Sequence, residues 1–411
     1  MKNPSSQNPI VFVIVNRLFE WSQNFITREL VELKRQGVEL VVGAREIIRR
    51  DDLDAETAAL KNRFIAIPEN PFRPEHLLRH FRFKQHYSER YNHAWQHFRG
   101  FRHDNFSAKF RGFVCLFRAA SIAQQVIDEK IDLIHAHFLT APGETALYLS
   151  ALTQIPFGGT GHAMDIYVDN SGLAKKVREA AYIATCTAAN AAHLKTQYPE
   201  NSDKIFTVYH GIDVAEKIEN TPRGSRPFTF LSAGRFVEKK GFNYLLDACK
   251  IVKNRGMDFR CRIVGKGPLA DALQNQIREN QLADTVRIDD YIPPNEMKNV
   301  YQGSDALVAP SIIDKNGDRD GLPNVCLEAM ANGLPIIGSA ISGIPEGIID
   351  GRSGFIVPSG DAAKLAEAMI NLIHHKNLGE MRKASRALAR DKFAIKKNVS
   401  RLKAIMERHF G

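Results

Sequence analysis

Nowhere in the chain do about 18 apolar residues run uninterrupted, so no stretch is long enough to read as a membrane-crossing helix. Cysteine is also sparse. The five residues, Cys115, Cys186, Cys249, Cys261 and Cys326, are odd in number, scattered, and never in a C-x-x-C pair. This argues against a disulfide framework or a zinc site, and for reduced thiols in a cytoplasmic setting. The first apolar run, within MKNPSSQNPIVFVIVNRLFEW, is only about six residues long, which suits a buried strand better than a signal peptide. Acid is in deficit as well, with 46 Asp and Glu against 56 Lys and Arg, a formal net charge of +10.

What is present is a soluble composition, 44% hydrophobic and 25% charged, over 411 residues. That length suits two domains of about 200 residues each. The positive excess is concentrated between Pro71 and Arg118, where Arg, Lys and His alternate with Phe, Tyr and Trp95. Four readings of this segment compete: solvated helices with an aromatic core, an anionic membrane surface at the inner face, a negatively charged acceptor, and, ranked last, nucleic acid.

Short apolar runs alternate with amphipathic stretches throughout the first half. Residues 10–15 suit a buried parallel strand, Ser22 is placed to cap a helix to about Gln36, and Gly37 is placed to stop it. Residues 38–42 return as a strand. A helix is expected over 110–130, a strand at IDLIHAHF, a helix at TAPGETALYLSAL, and a strand at IPFGGTGHAMDI leading to His162 and Asp165. YIATCT and IFTVYHGID flank a helix at about 188–196. The polar, Pro- and Gly-containing stretch 213–227 reads as a linker, after which the alternation restarts. Strands at FTFLSAGR, FRCRIVG, TVRID and ALVAP are separated by helices at about 240–253 and 268–280, and a polar helical tail closes the chain. The expected class is α/β, two Rossmann-like domains facing across a cleft, over 1–213 and 228–390, with residues 391–411 as a C-terminal helix returning to the first domain.

The stretch 318–354 carries most of the chemistry. A Gly-Leu-Pro-Asn turn, Gly321 to Asn324, leads into a helical run, and a helix start presents free N–H groups and a positive dipole end to an anion. Asp320 and Glu328 flank this turn, eight residues apart, and both can face one ligand. In SAGRFVEKKG, Gly234 allows a tight strand-to-helix turn, while Arg235 and Lys240 place two cations beside it. GKGP, from Gly265, is a second such turn, but it lacks the third glycine of a dinucleotide fingerprint. His162, between Gly161 and Asp165, is a loop histidine at the end of a strand. His135 and His137 face one side of their strand, yet no Asp, Glu or Cys completes a convincing metal site, so they read as structural.

Taken together, SAGRFVEKKG, IVGKGP, DGLPNVCLEAMANGLPII, GIPEGIIDGRSGFIV, GTGHAMDIY and YHGID resemble the retaining glycosyltransferase family 4, of the two-domain GT-B fold, over almost the whole chain. WSQNFITREL is similar to the first-helix segment of members that build bacterial exopolysaccharide, lipopolysaccharide or colanic acid. There Ser-Glu-Thr-Phe is usual, and here Gln23 and Asn24 stand in its middle.

The resemblance implies a first domain for the acceptor, a glycan or lipid-linked glycan, and a second for a UDP- or GDP-sugar donor, with no cofactor and no metal. It implies that Arg235 and Lys240 hold the donor diphosphate, that Glu328 binds the ribose, that Gly321, Leu322, Pro323 and Asn324 meet sugar and phosphates, and that His162 contacts the sugar. The family's Glu-x7-Glu appears here as Asp320-x7-Glu328, one methylene shorter at its first carboxylate. The alternatives are a metal-dependent GT-A enzyme using Asp318-Arg319-Asp320, a sugar-nucleotide-binding protein without transferase activity, and a nucleic-acid-binding protein.

Overall fold

The computed structural model describes residues 9–100, 105–215 and 225–410. They fall into two compact units, one of residues up to 211 together with those from 395 onward, the other of residues 212–394. Most of the 213–227 linker expected from sequence lies outside the described residues.

The first unit contains β1 (Ile10–Ile14), β2 (Arg17–Leu18), β3 (Glu39–Ala44), β4 (Glu46–Ile47), β5 (Phe64–Ala66), β6 (Leu133–His137), β7 (Phe157–Gly161), β8 (Tyr182–Thr185) and β9 (Ile205–Thr207). Seven of them form a parallel sheet in the order β5-β3-β1-β6-β7-β8-β9, and β2 pairs with β4 in a small ribbon. Strand periodicity explains why β1 is apolar at every position. Phe12 and Ile14 enter one core, and Val11 and Val13 enter the core on the opposite face, so both faces must be covered.

Among the described residues, the α-helices of this unit ahead of the linker are α1 (Asn24–Arg35), α2 (Ala55–Ala58), α3 (Pro74–His86), α4 (Ser88–Arg99), α5 (Phe106–Asp128), α6 (Ala141–Thr153), α7 (Leu173–Glu179) and α8 (Ala188–Gln197). Two boundaries depart from the sequence reading. Ser22 does not cap α1, because it lies inside a 3-10 turn, Trp21–Gln23, and the helix proper begins at Asn24, whose Oδ1 accepts from Arg50 Nη1 at 2.6 Å. The long helix α5 starts four residues earlier than expected, where Asn105 Oδ1 accepts from the Ala108 N–H at 2.8 Å and supplies the N-cap.

Within 71–118 most aromatics point inward. His80 stacks on Phe117 with centroids 4.2 Å apart and meets Tyr91 Oη at 2.9 Å through Nε2, and burial pushes its pKa down to about 4. Among the described residues no helix is long and apolar enough to cross a membrane.

The second unit is a six-stranded parallel sheet of β10 (Phe228–Ala233), β11 (Phe259–Val264), β12 (Val286–Asp289), β13 (Ala306–Ala309), β14 (Ile336–Ser339) and β15 (Gly354–Val357), in the order β12-β11-β10-β13-β14-β15. Its helices are α9 (Phe242–Asn254), α10 (Ala270–Glu279), α11 (Pro294–Gln302), α12 (Asn324–Ala331), α13 (Ala362–Ile373) and α14 (Leu378–Phe393). At the entry to β10, Arg226 clamps the buried Asp305 with two hydrogen bonds of 2.6 and 3.1 Å, and the Thr229 N–H donates to the same carboxylate at 2.9 Å.

The polar helical tail comprises α13, α14 and a last helix that returns to the first unit, as expected. Extended backbone at Ala394 ends α14, and α15 (Ile395–Glu407) belongs to the first unit. Ile395, Val399, Leu402 and Met406 recur every three or four residues and enter the same core as Leu30 and Leu33 of α1.

Candidate functional site

Strand order in the second unit runs outward in opposite directions from β10 and β13, so the crevice at their carboxyl ends is the topological switch point of the sheet. The loops leaving those two strands carry the charged residues singled out from sequence. Ser232 Oγ donates to the Val308 carbonyl at 2.7 Å and ties the strand ends together. After β10 come Gly234, Arg235, a 3-10 turn (Glu238–Lys240) and Gly241 at φ +65. A Cβ on Gly241 would stand 2.0 Å from the Pro310 carbonyl oxygen, so the first loop presses against the chain leaving β13 at a point that requires glycine.

The same close approach holds at Gly265, after β11, where a Cβ would stand 2.0 Å from the Gly234 carbonyl oxygen. At Gly234 an added Cβ would meet the Lys240 side chain at 3.2 Å, so the lysine stem lies over the glycine turn.

Lys240 Nζ donates to Asp320 Oδ2 at 2.8 Å, and Ser311 Oγ donates to the same oxygen at 2.7 Å. Lys239 Nζ pairs with Asp318 at 2.9 Å and stands 3.9 Å from Asp320 Oδ1. Burial pushes the Asp320 carboxyl up, but Lys240 and Lys239 beside it, with the hydrogen bonds from Lys240 and Ser311, outweigh burial and hold it below its ordinary value. It is therefore an anion at neutral pH. Arg235, by contrast, is exposed, and among the described residues no carboxylate lies within ion-pair distance of it.

Beyond Asp320 the chain turns through Gly321, the buried Leu322 and Pro323, and α12 begins at Asn324 with Pro323 in its N-cap position. Pro323 supplies no side-chain cap, and within that first turn the Cys326 N–H donates to the Pro323 carbonyl at 2.9 Å. Glu328 is the fifth residue of α12, and its Oε2 accepts from Tyr301 Oη at 2.8 Å. Cys326 on the same helix is fully buried and pushed up to about 12 by that burial, which makes it an inert thiol. Asp320 and Glu328 thus each have a protein partner, on Lys240 and on Tyr301 respectively.

Sequence reasoning missed Lys239, Ser311 and Tyr301. Ser311 carried a usable signal, since it is the second residue past a buried strand in a parallel sheet, where ligands gather. Tyr301 carried none, because its proximity to Glu328 is set by the packing of α11 near α12.

In the first unit, His162 follows β7 and is only 7% exposed. Its N–H donates to Asp165 Oδ2 at 2.8 Å, and its ring lies 4.2 Å from Phe138 and 5.4 Å from both Phe25 and His210 by centroid. Burial, with the neighbouring His210, His137 and His135, holds its pKa well below the ordinary histidine value, so the imidazole is neutral at pH 7. Its Nε2 is buried with no hydrogen-bond partner among the described residues. Burial also pushes Asp165 up to about 6, against the N–H groups of His162, Leu139 and Thr140 that bond to its carboxylate.

Among the described residues, two groups bring candidate metal-ligating atoms within 4.8 Å of one another: His162 with Cys186 and His210, and Glu29 with His135 and His137. The second corrects the view that no acid accompanies the strand histidines, since Glu29 arrives from α1, over a hundred residues away in sequence, and meets His137 Nε2 at 3.1 Å. His135 is already engaged at both nitrogens, Nδ1 with Tyr182 Oη at 2.7 Å and Nε2 with Thr160 Oγ1 at 3.2 Å, which reads as a satisfied polar core rather than a metal centre.

Comparison with known proteins gives both halves a family. Residues 213–391 match the family described as glycosyl transferases group 1, and residues 23–216 match Glycosyltransferase Family 4. The putative colanic acid biosynthesis glycosyltransferase WcaL of Salmonella typhimurium is 35% identical over 179 residues, 43% of this chain and 44% of that protein. The amylovoran biosynthesis glycosyltransferase AmsK of Erwinia amylovora is 38% identical over 147 residues, 36% of each chain. The matched stretch thus spans less than half the length of these curated relatives.

Among solved structures, HepE of Anabaena in complex with UDP aligns with a TM-score of 0.71 at 15% identity, over 97% of this chain and 100% of that one. Sucrose-phosphate synthase of Thermosynechococcus elongatus aligns with a TM-score of 0.71 at 16% identity, over 98% and 99%. With two glycosyltransferase families matched end to end along residues 23–391, on two parallel-sheet α/β units shared with such structures, the chain belongs to the family 4 glycosyltransferases of the GT-B fold.

Proposed function

We propose that the protein transfers a sugar from a nucleotide diphosphate sugar to a glycan or lipid-linked glycan during synthesis of a cell-surface polysaccharide, at the inner face of the membrane. The observation that carries this reading is the pairing of Lys240, on the loop after β10 that also holds the exposed Arg235, with Asp320, four residues ahead of α12, at the switch point of the second sheet. Cleavage of the sugar–phosphate bond builds negative charge on the leaving diphosphate. Arg235 and Lys240 neutralise that charge with the N–H groups at Asn324, and in a site of fixed donors each such contact is worth about 100-fold or more in rate. These cations take the place a divalent metal fills elsewhere.

Glu328 accepts hydrogen bonds from the ribose hydroxyls, and Asp320 from the sugar, which Gly321 and Leu322 approach through their backbone. His162, a neutral imidazole with a buried unpartnered nitrogen, donates to or accepts from a sugar hydroxyl without itself titrating near pH 7. The transfer retains anomeric configuration, with the leaving phosphate taking the acceptor proton, so no side chain is required as a covalent nucleophile. The names of the relatives that build colanic acid and amylovoran support the polysaccharide setting, and the UDP bound by HepE supports a UDP- or GDP-sugar donor.

The test is a screen of UDP-, GDP- and ADP-sugars for nucleotide release, with and without glycan and lipid-linked acceptors, run in parallel with EDTA. Acceptor-dependent release that survives EDTA is expected. Release restored only by manganese would instead favour metal-dependent transfer through Asp318 and Asp320. A second reading, sugar-nucleotide binding without transfer, is favoured by one feature, the engagement of the short Asp320 side chain by Lys240 and Ser311. Saturable donor binding with no turnover on any acceptor would select it.

A further inference from the structure

The basic segment of the first unit presents a surface that the donor chemistry does not use. Between Pro71 and Arg118 the sequence holds ten Arg and Lys against three Asp and Glu, seven of the ten excess positive charges of the whole chain. Its inward aromatics are accounted for by the packing of α3, α4 and α5, as in the stack of His80 on Phe117 and the edge contact of Trp95 with Phe113. Its outward ones are not.

Leu78 is 51% exposed, Phe81 58%, Phe106 83% and Phe110 54%, and these are the only large apolar side chains more than half exposed among the described residues. Leu78 and Phe81 stand three apart on α3, and Phe106 and Phe110 four apart on α5, so each pair occupies one helix face. Exposed basic residues accompany both pairs, Arg79 and Arg82 on α3 and Lys109 on α5.

We propose that this surface of α3 and the start of α5 is a docking site for an anionic phospholipid bilayer, with the two apolar pairs entering the headgroup boundary and the arginines and lysine meeting lipid phosphates. Exposed apolar side chains flanked by basic ones are the composition of an interfacial helix face. A nucleic acid would use the charge equally well, but it has no place for Leu78, which offers no ring for a base to stack on. The inference draws on the proposed function only for the choice of an inner-membrane lipid. Vesicle binding is measured with neither donor nor acceptor present, so failure of one reading leaves the other standing.

The experiment is co-sedimentation of the full chain with vesicles of phosphatidylcholine alone and of phosphatidylcholine mixed with phosphatidylglycerol. Binding to the mixed vesicles, weakened by salt and much weaker on phosphatidylcholine alone, is expected. Arg79→Ala with Arg82→Ala should lower partitioning about tenfold or more, since each basic side chain near an anionic surface contributes about fivefold. Leu78→Ser with Phe81→Ser should lower it at least about tenfold through lost apolar burial. Lys250→Ala with Lys298→Ala, which removes the same charge from exposed positions of the second unit, should leave it within about twofold of the wild type, as expected for charges away from the contact.

These substitutions are at exposed positions, and unchanged thermal unfolding verifies the fold. Equal binding to both vesicle types, no binding to either, or an equal loss in the Lys250/Lys298 variant would overturn the proposal. So would tight binding to single-stranded RNA that the Arg79/Arg82 variant abolishes while vesicles are ignored, an outcome that makes the surface a nucleic-acid site.

Discussion

Both sheets reverse their strand order beside the first strand of the unit, between β1 and β6 in one and between β10 and β13 in the other, yet the residues near those strand ends differ in kind. In the second unit they are charges held in register: Lys239 on Asp318, Lys240 on Asp320, and Arg235 exposed beside them. In the first they are rings: Phe25 stacked on His210 at 4.0 Å, Phe138 against His162, and the His162 imidazole kept neutral by burial. One architecture therefore supplies two unlike surroundings. The charged one suits a diphosphate, whose two negative charges need fixed cations. The neutral one suits a hydroxyl-rich, uncharged group, to which rings offer flat apolar faces and imidazoles single hydrogen bonds.

Removing the lysine that joins both loops of the second unit should have the largest effect. Lys240→Ala is expected to lower kcat/KM by about a thousandfold, more than loss of a single transition-state donor, because it also leaves Asp320 buried beside only a distant second lysine. Steady-state kinetics measures it. The double variant with Asp320→Asn removes both charges and should recover thermal stability but not turnover, and recovery of turnover would show that Lys240 acts only on Asp320.

Arg235→Ala should lower kcat/KM by about a hundredfold with little change in unfolding temperature, because the side chain is exposed. Near-normal turnover in both variants would dissolve the contrast between the units. Glu328→Gln should raise the KM for donor by about tenfold while kcat changes less, the signature of a hydrogen bond to a part of the substrate that does not react. Restoring the methylene, Asp320→Glu, should alter the ratio of turnover between donor sugars by about tenfold or less. An unchanged ratio would remove Asp320 from sugar selection.

The smallest effect is on stability, and it belongs to the first unit. His80, at about 4, and His135 and His162, both lowered by burial, are uncharged in the fold but protonate below about 6.5 when the chain unfolds. Their contribution is present above 6.5 and is lost as pH falls toward 4. Asp165, raised to about 6, has the opposite sign: its contribution is present at acid pH and is lost as pH rises through 6, so it offsets part of the fall. The unfolding midpoint of the wild type should drop between pH 6.5 and 4, and His80→Phe should flatten the profile. A midpoint independent of pH in that window would mean that the buried rings are hydrated.

The strand and helix alternation was legible because each buried strand is an apolar run and each helix has one apolar stripe, patterns that depend only on neighbours in the chain. The placement of Arg235, Lys240, Asp320 and the turn from Gly321 to Asn324 beside strand-to-helix turns was legible for a related reason, since Gly or Pro marks each turn. The start of α1 was misplaced because Ser22 is a competent cap in isolation, and only the 3-10 turn that absorbs it moves the helix to Asn24. Glu29 beside His137, Tyr301 on Glu328 and Ser311 on Asp320 were not legible, since each contact joins separate elements.

The same division governs the molecule as a whole. By itself the sequence determined two parallel α/β units, the excess charge of 71–118 and the types of group at each strand end, because composition and period are local properties. Only the tertiary structure decided that Asp320 is spoken for by Lys240 and Ser311 and that His162 is buried and neutral, whereas the return of the C-terminal helix to the first unit was already expected from the sequence. Those outcomes depend on which surfaces exclude water together, and water is excluded only after distant segments have met.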